Sequence, residues 1–114
     1  MGNSKKSIIL ALSKESGGAT NEDVISSRWH TTQLICIQNI GVEDEDNTCT
    51  QIRIGLVQGN KLYWINSKTS ISASVVYNFD NAIWFSSEYQ IVIRFTGTTN
   101  GDNLKAWIYG YYVT

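Results

Sequence analysis

The sequence contains no proline, where average usage over this length would supply about five. Gly, Asn, Asp and Ser must therefore make every turn. Charge is sparse too: charged residues make 17% of the chain and the net charge is −1. That balance lacks the basic stripe of a nucleic-acid binder and the acidic excess of a free-standing acidic binder. Lys5, Lys6 and Lys14 gather near the N-terminus but read as a solvated surface. Long apolar runs are missing as well. The run Ile8 to Leu12 is too short to span a membrane, and it lacks the length and small-residue cleavage site of a signal peptide. Met1-Gly2-Asn3-Ser4-Lys5-Lys6 approaches a myristoylation start, but Lys6 stands where that pattern needs Ser or Thr. These absences predict a chain made in the cytosol, with neither nucleic acid nor membrane as partner.

Reactive side chains are few. Of the two cysteines, Cys36 lies within Leu34-Ile35-Cys36-Ile37 and reads as a small buried hydrophobe, while Cys49 follows an acidic stretch. A disulfide between them would need an oxidising compartment for which the chain carries no signal. Neither has CxxC spacing or a neighbouring His, so no metal site and no cofactor is expected. His30 is the single histidine, so Ser-His-Asp or Cys-His chemistry would have to run through it, and no GxSxG motif accompanies it. Glu88 and Asp102 are the carboxylates of the last third of the chain, Asn81 to Thr114, each at a turn, and a glycosidase pair there would have to use them. No residue set nominates a reaction, and the chain is expected not to be an enzyme.

What is present is β-pattern. At 114 residues the chain is one domain, long enough for a core without staples. Ile91 to Phe95 and Leu104 to Tyr112 flank the turn-rich Thr96 to Asp102, which predicts a closing hairpin. Upstream, strands are predicted over Ser7 to Lys14, Trp29 to Ile40, Thr48 to Gln58, Lys61 to Asn66, Ile71 to Phe79 and Ala82 to Phe85. Gly59-Asn60 reads as a two-residue hairpin turn, Ser67 to Ser70 as a polar turn and Glu15 to Asp23 as a loop, while Val24 to Ser27 is ambiguous, a short helix over Asn21 to Ser27 being compatible with the pattern. The total is about eight short strands with turns every 8 to 12 residues, the pattern of an all-β, single-domain antiparallel sandwich of jelly-roll type.

Two features invite a functional reading. Glu43-Asp44-Glu45-Asp46 is the only charge cluster; as a loop it would be solvated, would offer oxygens to Ca²⁺, or would contact a basic partner. The four Trp, six Tyr and three Phe are the second. They fill a core, anchor a subunit interface or form platforms for sugar faces. Tyr77, Phe79 and Phe95 fit the core by alternation. Tyr63-Trp64 and Tyr111-Tyr112 are adjacent pairs, so one member of each must face away from the core. Trp84 is a further exposed candidate.

Trp29-His30-Thr31-Thr32-Gln33-Leu34-Ile35-Cys36-Ile37-Gln38-Asn39, together with the closing stretch Ser87 to Leu104 and its terminal Trp107-Ile108-Tyr109-Gly110-Tyr111, resembles small jelly-roll structural proteins of tailed bacteriophage virions. The likeness covers under half of the chain and rests on strand-and-turn patterns. It implies a virion location, a capsid decoration or cement role or a head-fibre piece, homotrimeric assembly, and non-covalent contact with the major capsid protein. On that reading Tyr63, Trp64, Tyr111, Tyr112 and the acidic loop are the expected contacts, and residues 1–6 are an arm ordering against a neighbour. Alternatives are a head–tail connector component, and a carbohydrate-binding module using Trp64 or Trp84 with nearby Asn and Asp side chains.

Overall fold

The computed structural model describes residues 4–113. Nine strands follow in order: β1 (Lys5–Glu15), β2 (Asn21–Ile25), β3 (Ile35–Asp44), β4 (Cys49–Gln58), β5 (Lys61–Ile71), β6 (Tyr77–Phe79), β7 (Ile83–Phe85), β8 (Gln90–Thr96) and β9 (Asn103–Val113). One sheet runs β1-β9-β3-β6, with β7 also paired to β3, and the other runs β2-β8-β4-β5. Every pairing is antiparallel. This interleaving of chain-distant strands over two sheets is the jelly-roll order, with the strand beside β3 split into β6 and β7.

Alternation on the central strands builds the core. β9 turns Leu104, Ala106 and Ile108 inward, and β8 opposes them with Ile91, Ile93 and Phe95; all six are fully buried. β3 adds Ile35, Ile37, Ile40 and Val42, and β4 adds Ile52 and Ile54. Burying these side chains is worth about 1.5–3 kcal/mol each, which outweighs any local preference of a segment.

The expected closing hairpin does not form. β8 pairs with β2 and β4, whereas β9 pairs with β1 and β3. Two alternating runs around a turn suit a hairpin and a crossing between sheets equally well; the apolar faces decide, because here they meet across the core. The connecting turn bonds to the β1–β2 turn: Gly97 N–H donates to Thr20 O, Gly101 N–H to Ser16 O, and Ser16 N–H to Asp102 O, at 2.8–3.0 Å. The hairpin at Gly59-Asn60 is present. Gln58 pairs with Lys61, and Gly59 takes φ 62°.

Other boundaries shift for similar reasons. Trp29 to Leu34 forms no strand, because the chain is crossing there from β2 in one sheet to β3 in the other; β3 instead continues to Asp44. Ser67 to Ser70 is not a turn but part of β5, held along β4. The alternating run Ile71 to Phe79 breaks after Ile71, where Ser74 takes φ 59° and leaves Val75 and Val76 exposed. Strand β2 takes the last residues of the expected loop, Asn21 to Asp23, and the first two of the ambiguous segment, Val24 and Ile25, because they pair along β8. Lys5 and Lys6 pair with Val113 and Tyr112 in β1, so they are not an arm, and residues 1–3 of that expected arm lie outside the described residues. Both cysteines are free and buried.

Candidate functional site: the outer face of the five-stranded sheet

Register places three rows of side chains on the outer face of the β1-β9-β3 sheet. Ser7, Tyr111, Cys36 and Trp84 form one row, Ile9, Tyr109 and Asn39 the next, and Ala11, Trp107, Gly41 and Asn78 the third. The central strand therefore carries an aromatic stripe, Trp107, Tyr109 and Tyr111, flanked by Ile9 at 73% exposure and Trp84 at 55%. Trp84 meets Tyr111 edge to face with centroids 6.0 Å apart, and the Lys5 ammonium sits 4.4 Å from the Tyr111 ring. Beside the stripe, Gly41 leaves a hollow of about 200 Å³ bounded by Val76, Asn78, Trp107 and Tyr109. Asn39 Nδ2 donates to Asn78 Oδ1 at 3.3 Å along its edge.

Of the residues singled out from sequence, Trp84 and Tyr111 join this face. Tyr112 does not: it points inward and packs on the core, because its neighbour Tyr111 takes the outer position. Trp64 lies on the outer face of the other sheet, over Gly55, with the Arg53 and Arg94 guanidinium carbons 4.5 and 5.0 Å from its ring centre. Its ring is thus engaged by its own chain. Arg94 is fixed by a two-pronged bond to Asp23, at 2.7 and 2.9 Å, which pushes the guanidinium pKa up. Tyr63 sits at the far end of the sandwich against Tyr89, centroids 6.1 Å apart. Sequence reasoning passed over Ile9, Trp107 and Tyr109 as surface residues. The signal was present, since Trp107-Ile108-Tyr109-Gly110-Tyr111 puts three aromatics on one face at period two.

The acidic cluster is not one solvated loop. Glu43 and Asp44 belong to β3, and Asp44 is fully buried. Glu45 pairs with Lys105 at 2.6 Å, and Asp46 Oδ2 accepts from Asn103 N–H at 2.7 Å. No group of three or more potential metal-ligating side chains converges among the described residues. Burial, then the Asp102 carboxylate, push the Asp44 carboxyl up to about 6. Burial also works on Asp102, but hydrogen bonds from Asn47, Asp44 and the Thr99 N–H hold it below the usual range.

The far end carries an open hollow of about 680 Å³ lined by Trp29, His30, Gln33, Ser87 and Tyr112 among others. His30 is exposed there and no carboxylate lines the hollow among the described residues, so a Ser-His-Asp set is not assembled. Glu88 precedes β8 and Asp102 lies beyond its other end, just before β9, so the length of β8 separates them and they cannot flank one glycosidic bond. Among the described residues no helix is long and apolar enough to cross a membrane. The chain matches no protein-family model and no curated protein.

Proposed function

We propose that this chain is a non-enzymatic structural protein of a virion, a homotrimeric jelly-roll module that decorates or cements a phage capsid. The observation that carries this reading is the apolar outer face built from Ile9, Trp84, Trp107, Tyr109 and Tyr111. Isolated exposed hydrophobes are ordinary, but a contiguous aromatic face marks a surface that a partner covers. Aromatic anchors of this kind supply most of the binding energy at protein interfaces. The jelly-roll order supports the reading as an architecture frequent in viral shells, although fold alone never assigns function. Head–tail connection would use the same face in a larger ring. The face joins the copies and the trimer is what the capsid holds, so in co-sedimentation with undecorated capsids, binding that is lost together with the trimer in Trp84→Ala and Tyr109→Ala supports the proposal, and no binding by the wild type counts against it.

Carbohydrate binding is the second reading. It is favoured by the Asn39–Asn78 amide pair beside Tyr109 and Trp107, which offers hydroxyl partners next to an aromatic platform. Trp84 suits that role better than Trp64, whose ring already faces guanidinium groups. A glycan array separates the readings, since sugar binding lost in Trp84→Ala would favour this one.

A further inference from the structure

Four turns meet at one end of the sandwich, and two buried carboxyl groups lie between them. Asp44, the last residue of β3, is 0% exposed, and Asp102, just before β9, is 1% exposed. Asp44 Oδ1 accepts from Asp46 N–H at 3.2 Å and Asn47 N–H at 3.3 Å. Asp102 Oδ1 accepts from Asn47 Nδ2 at 2.6 Å, and its Oδ2 accepts from Thr99 N–H at 3.1 Å. Asn47 therefore grips both acids. The remaining oxygen, Asp44 Oδ2, is buried with no hydrogen-bond partner among the described residues. The Asp102 carboxyl, held by the same Asn47, is close enough to push the Asp44 carboxyl up, so a proton on Asp44 would let it donate to Asp102.

Two carboxylates buried as neighbours cannot both be ionised at low cost; one proton shared between them would turn repulsion into a charge-assisted hydrogen bond. The backbone of the same residues ties the neighbouring turns. Asp44 O accepts from Ser74 N–H at 2.9 Å, Glu45 N–H donates to Asn103 O at 3.0 Å, and Asp102 O accepts from Ser16 N–H at 2.8 Å. We propose that the Asp44–Asp102 pair is a proton-operated latch: with Asp44 protonated and donating to Asp102 the four turns are locked together, and release of that proton to solvent loosens this end of the sandwich.

The other charged groups around the pair do not supply a replacement cation. Lys105 is engaged by Glu45, Asp46 accepts from the Asn103 backbone, and Glu43 adds negative charge. The Cys49 thiol is buried beside the pair; burial, then the charges of Asp44 and Asp102, push it up to about 12, so it stays neutral across the range in which the latch works. The raised Asp44 value fixes the direction. Stability from Asp44 is fully present below its ordinary value of 3.8 and is lost as pH rises through about 6, with no further change above that.

Amide hydrogen exchange tests this, with each rate divided by its intrinsic exchange rate. Between pH 4 and 7 the opening constant of the amides at Asp46, Asn47, Ser74 and Thr99 should rise about 100-fold, tenfold per pH unit over about two units. Asp44→Asn reproduces the protonated acid, its Nδ2 donating to Asp102, and should hold these amides closed throughout. An opening constant that is flat in the wild type, or an unchanged slope in Asp44→Asn, overturns the proposal. If Asp44→Asn does not fold, carboxyl-carbon NMR of the wild type decides: a midpoint near 6 for Asp44 supports the latch, and one near 4 overturns it.

Discussion

Trp84 and Tyr111 meet edge to face on the outer surface of the five-stranded sheet because both are register partners of Cys36, one on each side of β3. The small Cys36 side chain leaves the space between them and is itself 2% exposed. A sheet face built this way presents aromatic rings outward while closing over its own backbone. It is the feature on which the functional reading rests.

Trp84→Ala should uncover Cys36. Removing an edge-to-face pair costs about 0.5–1.5 kcal/mol, so the variant remains folded. Titration with a thiol reagent under native conditions should show one newly reactive cysteine, Cys36, while the deeply shifted Cys49 stays unreactive. Two reactive thiols, or none, would contradict the assigned packing.

Trp64→Ala should behave differently. Its ring covers Gly55 and is shared by Arg53 and Arg94, which face each other across β4 and β8. Loss of two cation–π contacts and of apolar cover should cost about 2 kcal/mol in urea unfolding. Native mass should stay as in the wild type.

Gly110 is required by close approach of chains. A Cβ there would collide with the Cys36 carbonyl oxygen and come within 2.9 Å of Ile37 Cα, both backbone atoms of the adjoining strand beside the bulge in β3. Gly110→Ala should destabilise by about 3 kcal/mol. Gly59→Ala, with nothing within 4 Å but φ at 62°, should cost only about 1–2 kcal/mol. Equal losses in thermal unfolding would contradict this distinction.

Acid should destabilise the fold through a separate group. Glu22 accepts from Lys14 Nζ, Ala19 N–H and Gly17 N–H, and these bonds hold its carboxyl below the usual range. Its contribution is present above the ordinary glutamate value and is lost as pH falls through the depressed one. Below about pH 4, unfolding free energy should decline, and Glu22→Gln should flatten that limb.

The all-β class, the sandwich and the alternation of β8 and β9 were legible from period-two patterning, since buried and exposed positions follow the pleat. Pairing was not. The pattern around Thr96 to Asp102 is the same whether β8 and β9 join side by side or face each other, and partner choice depends on strands far away in sequence. Tyr111 against Tyr112 could be split into outer and inner members only in principle; register with β1 and β3 says which is which. Asp44 was hidden among solvated-looking neighbours because its burial comes with its pairing to Leu104 across β3 and β9, far away in sequence.

The most direct test of the proposed assembly face is native mass by light scattering after size exclusion, for the wild type and for Tyr109→Lys. A stable wild-type trimer is expected, three times the 12.8 kDa of one chain, that falls to a folded monomer when a charge is placed in the centre of the aromatic stripe. A wild-type monomer, or an oligomer indifferent to Tyr109→Lys, would contradict it.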